Sequence, residues 1–174
     1  MDSDPADFSV AVVASRASVS RSTLYEAFES RAGLIRALLE DALAAAGYQR
    51  LVDLISLPDP REATLQGLAY GCVMYSAQHP VLQRLVLLAR LDPEAAELMQ
   101  KSDQGRADSM RWMAERLAAA GYLKAGTEVA EAAALLWILT SFPTFDQLYS
   151  GWGLASKACG NLLTSVARSS LLSA

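Results

Sequence analysis

Arg21, Ser22, Thr23 and Tyr25 crowd the first turns of one short segment, Arg21 to Phe28. At the exposed start of a helix, small hydroxyls of this kind reach phosphates and base edges, which is the chemistry of docking on duplex DNA. Catalytic groupings are missing by comparison. The chain shows no metal-ligand cluster, no Gly-rich phosphate loop and no Ser/His/Asp set, and His79 is its one histidine. His79 precedes Pro80 at a helix end, where a capping role fits it better than ligand sensing or catalysis. The expectation is a protein that is not an enzyme and needs neither cofactor nor metal.

Charge sets a limit on any DNA contact. Across 174 residues, 15 Lys plus Arg stand against 19 Asp plus Glu, a formal net charge of −4, so no global basic field draws the chain to nucleic acid or anionic lipid. Contact must be local. Between Phe8 and Arg36, Arg16, Arg21, Arg31 and Arg36 outnumber Glu26 and Glu29 by two, a thin excess for a duplex binder. Cys72 and Cys159 are far apart, in apolar surroundings, without CxxC spacing; two buried thiols in a reducing cytosol suit them.

The elements that must hold these residues are helices. Segments Val10 to Ala17 and Arg21 to Phe28, separated by Ser18-Val19-Ser20, have helix-turn-helix length, with Val13, Ala14, Ala17, Val19, Leu24 and Phe28 as the seam. Ser20 caps the second and Ser30 a third, whose apolar stripe from Leu34 to Ala46 carries it past Gly47 toward Leu57. Asp59-Pro60-Arg61-Glu62 opens a helix to about Gln78, Pro80 one to about Leu91, and Asp92-Pro93 a long one to Ala120, closed by Gly121. Thr127 caps the next, which passes a kink at Pro143 to about Tyr149; Gly151-Trp152-Gly153 turns the chain into a last helix from Ser156. The fold class is all-α, a small helix-turn-helix head on a larger helical body. Ala63 to Gln83 carries no charge, but Gln66, Gln78, His79, Pro80 and Gln83 argue against a membrane span. Met1 to Asp7 is acidic, unlike a signal peptide, so a cytoplasmic location is expected.

Val13-Ala14, Ala17-Ser18-Val19-Ser20, Thr23-Leu24-Tyr25, Phe28, Ser30-Arg31 and Leu34 together, at this spacing, resemble the head of the tetracycline-repressor (TetR) family of transcription regulators. The resemblance implies a DNA-binding head over residues 1–47 and a ligand-binding and dimerisation domain over 48–174. It also implies that Ser20, Arg21, Ser22, Thr23 and Tyr25 face DNA, and that Arg31 holds a backbone phosphate. For Tyr25 a core position fits as well, and for Phe28 it fits better. Two departures are mild: Ser18 stands where the family has glycine, costing of order 1 kcal/mol in a left-handed turn, and Arg31 replaces lysine with its charge kept. A larger departure is the family's first helix, for which only seven residues precede Phe8.

In the body, Tyr70, Met74, Tyr75, Leu85, Leu88, Met110, Met113, Leu117, Trp137 and Phe142 are candidates for lining a cavity that takes an apolar or aromatic effector, though each also suits plain core packing. The apolar stretch Leu136 to Gly153 and the final helix look like a two-fold dimer face. Two readings follow. One is a regulator, read as a repressor, that binds palindromic double-stranded DNA as a homodimer and answers to a small effector, with the helix from Arg31 to about Leu57 as the lever. The other is a dimeric small-molecule-binding module that does not bind DNA.

Overall fold

The computed structural model describes residues 10–173, so the acidic opening Met1 to Asp7 and Phe8 lie outside the described residues. Among the described residues there are ten α-helices and no strand; Leu123 and Leu172 make one isolated antiparallel bridge. The all-α expectation holds.

Helices α1 (Val10–Ala17) and α2 (Arg21–Phe28) cross about a small knot in which Val10, Ala14 and Leu24 are buried and Val13 and Phe28 pack alongside. Ala17 and Val19, expected in this seam, are exposed, because the turn at Ser18 carries both past the crossing. Ser18 has φ 55°, the left-handed conformation that glycine adopts without strain. Ser20 caps α2 by accepting from the Thr23 amide at 3.0 Å, and Ser30 caps α3 (Arg31–Ala45) by accepting from Gly33 at 3.0 Å.

The expected long third helix is broken. Gly47 has φ 86°, and the chain restarts as α4 (Tyr48–Ile55). A side chain at Gly47 would collide with the Tyr70 hydroxyl, which donates to the Gly47 carbonyl at 3.3 Å. Apolar periodicity ran through the break because both pieces bury one face against the same neighbours.

Asp59 opens α5 (Pro60–Ala77) and Asp92 opens α7 (Pro93–Ala119), each with proline in the first turn; α6 (His79–Leu91) lies between them. Helix α8 (Val129–Leu139) starts after Glu128 with no side-chain cap, so Thr127 does not play the expected part. Pro143 does not kink α8. Ser141 caps a new short helix, α9 (Phe142–Asp146), with Pro143 in its first turn, and a π-helical turn, Gln147–Gly151, follows. The last helix is α10 (Ser156–Ser170).

Helices α5, α7, α8 and α10 enclose the main core, which contains Leu68, Met113, Leu117, Leu136, Phe145 and Leu163. α10 lies close on α5 because Gly160 faces the Ala69 backbone, where a Cβ would sit at 3.2 Å. A second cluster, Ile35, Leu85, Leu88 and Ala95, ties α3 to α6 and α7, and so joins head to body. Both cysteines are buried and free. No helix among the described residues is long and apolar enough to cross a membrane.

Candidate functional site

The head presents five of its six candidate residues together. Ser20, Arg21, Ser22, Thr23 and Tyr25 are all exposed, Tyr25 at 48%. The Ser20 hydroxyl lies 2.7 Å from that of Ser22 and 2.8 Å from that of Thr23, a chain of hydroxyls over the positive end of the α2 dipole. An outward phenol, a guanidinium and a hydroxylated helix start form a surface suited to phosphate oxygens and base edges. Tyr25 therefore takes the outward of its two expected places, while Phe28 packs inward.

Arg31 stands apart from these five. Its Nη1 is ion-paired with Asp92 Oδ2 and lies 3.9 Å from Glu94 Oε2, at the start of α7. Asp92 also caps α7, accepting from the Ala95 amide at 2.9 Å. That amide and burial pull its carboxyl in opposite directions, and with the Arg31 contact added the balance holds it below the usual carboxylate range. The charge expected at a phosphate thus binds the body to the head, which no local pattern around Arg31 or Asp92 could show across the intervening chain.

The body contains a cavity of about 360 Å³ bounded mainly by α4, α5, α7, α8 and α9, with Leu43 of α3 and Leu163 of α10 also on its wall. Of the expected lining residues, Met74, Tyr75, Met110 and Met113 face it. Tyr70 instead bonds Gly47, Leu85 and Leu88 belong to the second cluster, and Leu117 is in the main core. Phe142 packs edge-on to Tyr75 at 5.5 Å, behind the wall. Trp137 is 37% exposed, beneath the Arg106 guanidinium at 5.0 Å; Leu136, Leu139 and Thr140 hold the lining face of that turn. Trp137 is one residue, about 100°, off that face.

Sequence reasoning missed Tyr48, Leu51 and Ile55 on α4, Gly67 and Gly71 on α5, and Lys101, Gly105 and Arg106 on α7. A helical stripe was present to find some of them. Thr64, Gly67, Leu68, Gly71, Cys72 and Tyr75 recur at spacings of three and four, but glycines leave no apolar mark. Burial pushes the Cys72 thiol up to about 12, with Cys159 adding to the effect. It also raises the Tyr75 phenol to about 12; that hydroxyl donates to the Thr140 carbonyl at 2.9 Å. Both are neutral fixtures of the wall.

Ser150, His79 and Asp146 do converge in space. Asp146 Oδ1 lies 2.6 Å from His79 Nε2, and Ser150 Oγ lies 3.0 Å from the same nitrogen. A general base needs its orienting carboxylate on the other ring nitrogen, so this set lacks the geometry of a nucleophilic triad. Burial would raise the Asp146 carboxyl, but hydrogen bonds from His79, Ser150 and Gln83 outweigh it and hold the group low. With Phe145 and Tyr149 each about the His79 ring, the cluster fixes α6 to the π turn.

No family model matches the chain, and no curated protein matches it in sequence. Solved structures do match in fold. A chain described as a transcriptional regulator from Saccharomonospora viridis, in complex with choline, has TM-score 0.68 at 14% identity, over 98% of this chain and 90% of that one. A TetR family transcriptional regulator, PfmR from Thermus thermophilus, has TM-score 0.59 at 17% identity over 92% and 90%. The ketosteroid transcriptional regulator of Mycobacterium tuberculosis has TM-score 0.62 at 16% identity over 98% and 87%. The chain has the TetR-type fold, a helix-turn-helix head on an all-helical body.

Proposed function

We propose that the chain is a ligand-responsive transcriptional regulator of the TetR kind, a cytoplasmic homodimer that binds palindromic double-stranded DNA and is released from it by a small effector. The carrying observation is the outward edge from Ser20 to Tyr25 on a head whose third helix runs into the cavity wall. Residues 1–47 act as the DNA-binding unit and 48–174 as the ligand-binding and dimerisation unit. Leu162, Ile138 and Trp152, the last 80% exposed, supply apolar surface for pairing through α8 and α10. Catalysis has no part in this reading. That the Saccharomonospora neighbour was solved in complex with choline supports a small-molecule effector.

Coupling runs through α4. Its Tyr48, Leu51 and Ile55 line the cavity, its start is the Gly47 turn, and Arg116 of α7 donates to the Ile55 carbonyl at 2.9 Å at its end. An occupant that moves α4 resets α3 and the spacing of two reading helices, which DNA requires to be about 34–36 Å.

Selection of duplexes from a random pool by the full chain tests the proposal. The expected product is a palindrome bound with strong salt dependence, and Tyr25→Ala should weaken that binding about tenfold with the oligomeric mass unchanged. Arg31, drawn to Asp92, favours the second reading, a ligand-binding dimer without DNA; no enriched duplex would establish it.

A further inference from the structure

Among the described residues, the charged ones that line the cavity are Lys101 and Arg106, and no Asp or Glu lines it. Their partners Glu97 and Asp103 lie off the lining, at 2.7 Å from Lys101 Nζ and 2.6 Å from Arg106 Nη2. Exposure divides the wall. Lys101, Ser102 and Gly105 on α7 are exposed and mark the mouth, whereas Leu68, Met113, Leu136 and Phe145 are buried. Deep polar groups are already committed: Thr64 donates to the Pro60 carbonyl at 2.7 Å, Tyr75 to that of Thr140, and the Cys72 thiol is neutral. Nothing in the depth asks for a polar ligand atom, and the lining carries two cations, Lys101 paired with Glu97 and Arg106 with Asp103, the Trp137 carbonyl and Thr140 Oγ1.

We infer that the cavity takes an organic anion with a hydrocarbon body, its carboxylate at Lys101 and Arg106 and its chain against Met113, Leu136 and Phe145. This rests on the cavity being the effector site, and it names the effector's class. A ligand carboxylate exchanges with Glu97 and Asp103 for these two cations, whereas an ammonium finds no carboxylate on the lining itself. The volume of about 360 Å³ falls at the lower end of small-ligand sites, about 300–1,000 Å³, which suits a single chain or a fused ring.

Three probes with one chain length decide it: decanoate, decanol and decyltrimethylammonium, each below its micelle-forming concentration, titrated into the full chain by calorimetry. Decanoate should bind at least about tenfold tighter than either other probe, and more weakly as salt rises. Lys101 is exposed, so Lys101→Glu should leave the fold intact and cut decanoate affinity about fivefold while sparing decanol. Arg106→Gln, checked for helix content, should act in the same direction. Equal binding of all three probes overturns the anion inference and leaves an apolar effector site standing. Binding of none overturns the inference as well, and duplex selection then decides independently whether the chain is a regulator.

Discussion

Gly71 and Gly105 occupy the interiors of α5 and α7, where glycine costs about 1 kcal/mol relative to alanine. Both line the cavity, and a Cβ added at either meets no heavy atom within 4 Å. Packing does not demand them, so removing the helical penalty should be nearly free of a steric cost. Gly71→Ala and Gly105→Ala should each stabilise the ligand-free chain by up to about 1 kcal/mol, a rise in Tm of roughly 2–4 °C for a domain of this size. Three other helical glycines make the comparison. A Cβ at Gly67 would lie 2.9 Å from Ile55 Cγ2, one at Gly160 would lie 3.2 Å from Ala69 backbone, and one at Gly33 would collide with the Phe28 carbonyl. Overpacking of that kind costs about 1–3 kcal/mol, so alanine at these sites should give little gain at Gly67 and a clear loss at Gly33. Urea unfolding at fixed temperature measures the series, and Gly71→Leu should keep the stability while abolishing decanoate uptake. If Gly71→Ala were as damaging as Gly33→Ala, then α4 or α7 closes over α5 in solution and the cavity argument fails.

Asp92 should separate cap from charge. Asp92→Ala removes an N-cap worth about 1 kcal/mol, whereas Asp92→Asn keeps the acceptor and loses only an ion pair worth about 0–1 kcal/mol. Because the folded carboxyl is held low, its contribution is complete above the ordinary carboxylate range and is lost as pH falls through the lowered value; Asp92→Asn should flatten that acid limb in denaturation curves. Cys72 and Tyr75 act at the other extreme. Both are raised to about 12, so stability should erode as pH climbs from the ordinary thiol and phenol values toward that figure, and mass spectrometry at neutral pH should find Cys72 alkylated only as fast as the chain opens. Alkylation at the rate of an exposed thiol would contradict it.

Local signals located the head well. Serine caps, a compact apolar seam and a turn at Ser18 are all decided within a few residues, and the structure reproduces α1, α2 and the start of α3 from them. The body was legible as helices but not as a cavity. Which face of α7 meets α5 depends on packing partners far along the chain, and the void is made as much by absent side chains at Gly67 and Gly71 as by present ones. Large apolar residues draw attention in a sequence, yet Leu117 and Leu88 fill core while Lys101 and Arg106 face the space. Gly47 shows the same limit from the other side. Its left-handed turn splits a stripe that periodicity reads as continuous, because the reason for the turn is Tyr70, on another helix.

That split changes what the helix beyond the head can do. A single rod from Arg31 to Leu57 would carry any motion of its body end rigidly to the reading edge. Two rods joined at Gly47 transmit only if the first is otherwise held, and it is held: Ile35 packs with Leu85, Leu88 and Ala95, and Arg31 is paired to Asp92 at the start of α7. α7 in turn supplies Lys101, Gly105 and Arg106 to the cavity and, through Arg116, grips the Ile55 carbonyl and those of Leu57 and Pro58 beyond α4. One helix therefore touches the cavity, the base of the head and the chain end of α4. Under the proposed function, a ligand drawing Lys101 and Arg106 inward would act on α3 along two routes, through the Gly47 joint and through Asp92. On that proposal Arg31 would belong to the second route, through its ion pair with Asp92.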